Sequence, residues 1–177
     1  MEHLSAVLLR RLNPYCAKAL EAAATLCQAR AHNEITIEHW LLKLLELGEG
    51  DITVLARRYE WDMDTLWQNL LSHLDALPRS VHSRPQLSAD LQMLMKAGWL
   101  AASLEDDNHS IRSVNLLQAL PAQPRPLRCA GLWPLFSLSG EHIRRLKPLL
   151  DALSDDRPAS PEHDSLNLTP SAFAHGA

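Results

Sequence analysis

Residues 35–45 read ITIEHWLLKLL, and residues 111–120 read IRSVNLLQAL. Each stretch opens on isoleucine, follows with a small polar or hydroxyl residue, and runs into dense leucine. Ile35 and Ile111 lie 76 residues apart. The segments upstream agree: Ala22-x-x-x-Leu26 falls over Ala97-x-x-x-Ala101 at an offset of 75, so the second copy carries one extra loop residue. Any two leucine-rich helices with polar caps look somewhat alike. Two segments that match in order and spacing, each with a long alanine-containing helix in front, instead predict a duplicated unit.

The rest of the chain is helical by period. Residues 3–12 place Leu4, Val7 or Leu8, and Leu12 on one face, with Arg10 and Arg11 elsewhere. Asn13-Pro14 supplies a cap and a first-turn proline for a helix reaching about Ala31, whose face of Cys16, Ala19 or Leu20, Ala23, and Leu26 or Cys27 is shallow. Thr36 caps the next helix, and Gly48 ends it. Further starts fall at Asp51 and Asp62, and Pro78 stops the Leu66-Leu70-Leu74-Leu77 stripe.

The pattern restarts at Ser88 with Leu91, Leu94, Met95, Gly98, Ala101 or Ala102, and Leu104. A polar loop, EDDNHS, separates this helix from one capped by Ser113 and running to Leu120. The stretch PAQPRPLRCAGLWPLF has four prolines where the first copy has a regular helix. A last helix with Ile143, Leu146, Leu149 or Leu150, and Leu153 is bent or broken near Pro148.

The expected fold is therefore all-α: a pseudo-twofold duplicated four-helix repeat with an extra N-terminal helix. Residues 1–13 form the extra helix, 14–78 the first repeat, 79–87 a linker, 88–154 the second repeat and 155–177 a flexible tail or linker.

Composition narrows the function. The chain has 177 residues, 46% of them apolar and 21% charged, an ordinary globular balance. A net charge of −4 with only short arginine pairs gives no footprint for nucleic acid. No apolar run approaches the roughly 20 residues of a bilayer span, and the N-terminus lacks the pattern of a secretory signal. Cys16, Cys27 and Cys129 make an odd count with no CxxC pair, which fits a reduced, cytoplasmic setting rather than a disulfide framework. Nine histidines fall at no metal-ligand spacing.

Six glycines form no phosphate-binding loop, and no nucleophile motif is present. Glu38-His39 is adjacent in sequence, but neighbouring side chains on a helix do not face one another. No catalytic residue, metal site or cofactor is expected in this chain. A binding surface remains: the Leu4-Leu8-Leu12 stripe beside Cys16-Ala19-Ala23 forms a groove for a partner helix, or both stripes pack against the core. Both readings are open at this level, as is a helical regulator or small enzyme.

EITIEHWLLKLLE and SIRSVNLLQAL, taken together, resemble the Clp N-terminal domain of Hsp100 AAA+ unfoldases over residues 14–153. The extra helix, RPQLSADL and AGWLAASL…IRSVNLLQAL make the resemblance strongest to the ClpV (TssH) subfamily of bacterial type VI secretion. Asn115 stands where the first copy has His39, so the usual His-Leu-Leu signature is degenerate there.

The resemblance implies a cytoplasmic hexameric ATPase that disassembles the contracted sheath. Its N-domain would hold a short helix from the N-terminus of the large sheath subunit (TssC or VipB). Carried over by position, Leu8, Leu12, Cys16, Ala19, Leu20 and Ala23 are the expected groove walls, with Leu87 and Ser88 closing one end. ATP and magnesium would belong to ATPase modules absent from this chain. The alternative within the family is a general chaperone N-domain that binds unfolded chains or adaptors.

Overall fold

The structure is a computed structural model that describes residues 2–80, 84–105, 110–124, 127, 129 and 131–156, residues 2–4 by backbone alone. The Leu4 side chain, the centre of the inter-repeat linker, most of EDDNHS and the tail beyond Asp156 lie outside the described residues. Eight α-helices are described: α1 (Glu2–Arg11), α2 (Pro14–Ala29), α3 (Ile37–Leu47), α4 (Asp51–Arg58), α5 (Met63–Asp75), α6 (Ala89–Glu105), α7 (Ser113–Ala119) and α8 (Gly140–Leu153). Among the described residues, two 3₁₀ turns, Leu120–Ala122 and Trp133–Phe136, stand between α7 and α8 where the first repeat has a regular helix. Proline supplies no N–H there and restricts the residue before it, so the described residues of this proline-rich stretch form only short turns.

Two short parallel pairings display the duplication. β1 (Glu34–Ile35) pairs with β2 (Gln86–Leu87), placing Ile35 opposite Leu87. An isolated parallel bridge places Leu12 opposite Ile111. Advancing Ile35 by 76 residues and Leu12 by 75 turns one pairing into the other, so each repeat contributes a short extended lead-in to both. The caps repeat as well. Asn13 accepts from the Cys16 N–H at 2.8 Å, and Ser88 from the Leu91 N–H at 3.1 Å. The buried residues nonetheless form one continuous core across both repeats.

Local chemistry sets the element ends. Gly48 stops α3 at φ +65°, a conformation that costs glycine little. A Cβ at Gly50 would come within 2.4 Å of the Tyr15 ring, whose hydroxyl bonds the Gly48 carbonyl at 2.8 Å. The small flank of α2 is used inside the core. Ala19 and Ala23 are fully buried, which lets α3 approach closely, and Trp40 of α3 donates its indole N–H to the Cys16 carbonyl at 3.1 Å.

Three expectations are corrected. Arg112, not Ser113, occupies the cap position of α7. α8 is not broken at Pro148 but runs on through it, because the proline removes one bond while Ile143, Leu146 and Leu150 stay fastened to the core. The folded part also reaches past 154: Asp156 is fully buried, and the Asp155 N–H donates to the Glu49 carbonyl at 2.7 Å.

A buried polar cluster sits in the seam between the repeats. Arg112 makes a two-pronged ion pair with buried Asp51, at 2.8 and 2.7 Å, and also reaches Asp151. The carboxylate of Asp51 accepts the Val114 N–H at 3.1 Å. Burial and the Asp51 carboxylate raise the Asp156 pKa to about 6, against the opposing pull of hydrogen bonds from Asn13 and Ser113.

His39 and Asn115 do the same job in their respective copies. The Thr36 N–H donates to His39 Nδ1 at 3.0 Å, and the Arg112 N–H to Asn115 Oδ1 at 2.9 Å. Because Nδ1 of His39 is an acceptor, its proton sits on Nε2, which faces His32 Nδ1 at 2.9 Å. Burial, and then His32, His73 and Arg30, push the His39 pKa down to about 4. The unfolded chain therefore binds this proton first. The stabilisation is complete above the ordinary value of about 6.5 and is lost as pH falls toward 4.

Between pH 7 and 4.5 this group should remove about 2–3 kcal/mol of stability. His39→Asn keeps the acceptor and removes the titration, so its urea midpoint should fall much less over that interval. A variant as acid-sensitive as wild type would place the effect elsewhere.

Candidate functional site

The position of α1 decides which apolar side chains a partner can reach. α1 does not lie flank to flank with α2; it lies on α6. Ser5 donates to Gln92 at 3.2 Å, and the Arg11 guanidinium sits 5.3 Å from the centre of the Trp99 ring. The chain turns at Leu12–Asn13, where the Asn13 N–H donates to the Ile111 carbonyl at 2.9 Å and the Ile111 N–H to the Arg11 carbonyl at 2.7 Å. This corner carries α1 across the second repeat.

That geometry alters the expected groove. Leu8, Leu12, Cys16, Ala19, Leu20 and Ala23 are interior side chains, none more than 8% exposed. They form the packed underside of the α1–α2 corner rather than solvent-facing walls, because the shallow face of α2 is already filled by α3. Ser88 is also buried, occupied as the cap of α6. Leu87 alone of the eight stays half-buried. Its carbonyl accepts from Gln92 at 3.1 Å, and the same amide takes Ser5, so Leu87 does stand beside α1.

The open apolar surface lies next to these residues. Val7 of α1 is 42% exposed, and on α6 Met93, Leu100 and Leu104 are 46%, 52% and 87% exposed. Met93, Ala97, Leu100 and Leu104 follow one another at spacings of four, three and four, which puts them on a single helix face. Leu104, expected on the core side of α6, instead faces solvent. The inner side is Leu91, Leu94, Met95, Gly98 and Ala102. With apolar residues all round α6, periodicity marks its inner face without showing that a second face is left uncovered.

At its far end the stripe meets an open cleft of about 700 Å³ between α6 and α8, lined by Leu104, Glu105, Gln118, Arg144 and Lys147 among others. Glu105 organises the polar side, accepting from Arg144 at 3.0 Å and Gln118 at 3.1 Å, with Lys147 at 3.8 Å.

The thiols are unsuited to nucleophilic chemistry. Burial pushes the pKa values of Cys27 and Cys129 up to about 11 and raises that of Cys16 well above its usual value, so all three stay protonated at neutral pH. Among the described residues no cluster of three or more potential metal ligands occurs, and no helix is long and apolar enough to cross a membrane. The arrangement presents shape and apolar area to a partner.

Residues 11–127 match the Clp repeat (R) N-terminal domain, and the chain belongs to that family. Within it the likeness is to ClpV. The chain is 63% identical to the N-terminal domain (1–163) of the ClpV1 ATPase from the Sci1 type VI secretion system of enteroaggregative Escherichia coli, with a TM-score of 0.84 over 88% of this chain and 95% of that one. It is 26% identical to a ClpV N-domain solved in complex with a VipB peptide, with a TM-score of 0.74 over 86% of this chain and 94% of that one. The AAA+ ATPase ClpV1 of Pseudomonas aeruginosa is 30% identical over 165 residues, covering 92% of this chain. The chain spans 18% of the length of that curated relative.

Proposed function

We propose that this domain is the substrate-recognition module of a type VI secretion AAA+ unfoldase. It docks a short helix from the N-terminus of the large sheath subunit so that the contracted sheath can be dismantled. The observation that carries the reading is the uncovered apolar stripe on α6 beside α1, on a chain alike to a ClpV N-domain that holds a VipB peptide. A partner helix with i, i+3, i+4, i+7 anchors matches a stripe of Met93, Ala97, Leu100 and Leu104. Val7 and Leu87 would flank it. The six buried residues of the α1–α2 corner would set its shape from beneath.

ATP and magnesium would be held by ring modules outside this chain, in a cytoplasmic hexamer. In this reading the domain contributes binding, not turnover.

The test is a titration of the domain with a synthetic peptide of the sheath subunit's N-terminus, read by calorimetry. Binding should be micromolar or tighter. Val7→Asp and Met93→Glu should each weaken it at least tenfold, about 1.4 kcal/mol, with helical content unchanged. Leu153→Asp, on an exposed apolar residue of α8, should leave it intact. Normal binding by both stripe variants would remove this surface from the account. Equal binding of unrelated amphipathic peptides would instead favour a general chaperone N-domain.

A further inference from the structure

α1 is anchored by buried Leu8 and runs into the Leu12–Asn13 corner, and that corner is tied to the C-terminal end of the fold. The Asn13 side chain is buried and fully used. Its Oδ1 caps α2 at Cys16, while its amide donates to the Asp156 backbone carbonyl and to Asp156 Oδ1, both at 2.7 Å. The same Asp156 carboxylate accepts the Ser113 N–H, at the start of α7, and the Asp51 N–H, at the start of α4, at 3.3 Å each. One buried carboxylate thus stands at the N-terminal ends of three helices, α2, α4 and α7, where exposed N–H groups and helix dipoles favour negative charge.

The segment that delivers Asp156 is itself fixed. The Ser154 N–H closes α8 onto the Leu150 carbonyl at 2.9 Å, the Asp155 N–H holds Glu49, and the Asp156 N–H reaches Ser154 Oγ at 3.1 Å. The other groups around the carboxylate are Asp51, already paired with Arg112, and Tyr15 and Cys16 from α2. Each hydrogen-bonding neighbour named here donates to the Asp156 side chain. An acceptor is therefore required at this point, and a neutral amide would turn two hydrogens toward donors.

We propose that Asp156 is a positioning residue for partner docking: by clasping the Leu12–Asn13 corner to the seam between the repeats, it sets how α1 lies on α6. The clasp stands apart from the peptide, and its link to binding rests on the function proposed above. Without it α1 would be held by Leu8, its contacts to α6 and the Leu12–Ile111 bridge alone, and the flank formed by Val7 and Leu87 would lose its register.

The experiment compares wild type, Asp156→Asn and a core control, Leu70→Ala in α5, at temperatures where the two variants have equal global stability. Amide hydrogen exchange of residues 5–12 and sheath-peptide affinity are both measured. Asp156→Asn should speed exchange in α1 at least tenfold beyond Leu70→Ala and weaken the peptide at least tenfold. Asn13→Ser keeps a cap for α2 but loses both bonds to Asp156, and it serves the same purpose if the aspartate variant does not fold. Equal α1 exchange in the variant and the control would overturn the clasp. Faster exchange with unchanged affinity would overturn its role in docking. If the wild-type domain binds no sheath peptide, the proposed function fails while the exchange comparison still decides whether Asp156 holds α1.

Discussion

Replacing Arg112 by alanine should cost about 3–5 kcal/mol and be read directly in urea unfolding. The guanidinium is almost wholly buried and holds Asp51 through two hydrogen bonds, with Asp151 at its other edge. Removing it leaves the Asp51 carboxylate buried without a counter-charge, beside a second buried carboxylate, Asp156. The penalty comes from that stranded charge more than from the lost attraction, so a neutral pair should recover much of it. Asp51→Asn with Arg112→Met keeps an acceptor for the Val114 N–H and fills the volume. Lysine at 112 should fall between, since one ammonium cannot reproduce the fork. A cost below about 1 kcal/mol for Arg112→Ala would mean that apolar packing alone holds the seam.

Trp40→Ala should cost a similar amount, about 3–5 kcal/mol, for a different reason. Trp40 fills the space between α2 and α3 and is among the largest fully buried side chains. The alanine flank of α2 is too short to close over the cavity. Trp40→Phe keeps most of the buried area and forfeits the bond to the Cys16 carbonyl, so it should cost about 1 kcal/mol beyond the lost volume. Thermal unfolding followed by circular dichroism ranks the three proteins. A phenylalanine variant as damaged as the alanine one would make the indole hydrogen bond, rather than packing, the main contribution.

Much of the architecture was legible in the chain because it rests on local rules. Thr36, Asp62 and Ser88 cap helices where a hydroxyl or carboxylate precedes an apolar period. Gly48 stops α3 where a left-handed residue is needed. The offsets of 75 and 76 reappear as two equivalent strand pairings. Asn115 shows how far such reading extends: the departure from histidine was visible, whereas its conserved geometry, an acceptor reaching back to the Arg112 N–H, needed coordinates.

The binding surface was less legible. Leu8, Leu12, Cys16, Ala19, Leu20 and Ala23 form an apolar stripe, and a stripe can face a groove or a core with the same periodicity. Packing α3 against α2 and α1 against α6 put all six inside. Met93, Leu100 and Leu104 were hidden by the opposite problem, because α6 is apolar on every side and only the placement of its neighbours shows which side stays open. Asp155 and Asp156 read as the start of a polar tail. Polarity says nothing about whether three helix ends wait nearby to receive a carboxylate.

By itself the chain determined what short-range chemistry can encode: helix starts and stops, the duplication, and the absence of a nucleotide-binding loop. Tertiary structure alone decided which apolar faces are covered, where α1 lies, and that Arg112, Asp51 and Asp156 meet at the seam. Those outcomes depend on contacts between residues up to 143 positions apart, as Asn13 and Asp156 are. No local pattern carries such a distance, because burial is a property of the neighbours a side chain acquires on folding.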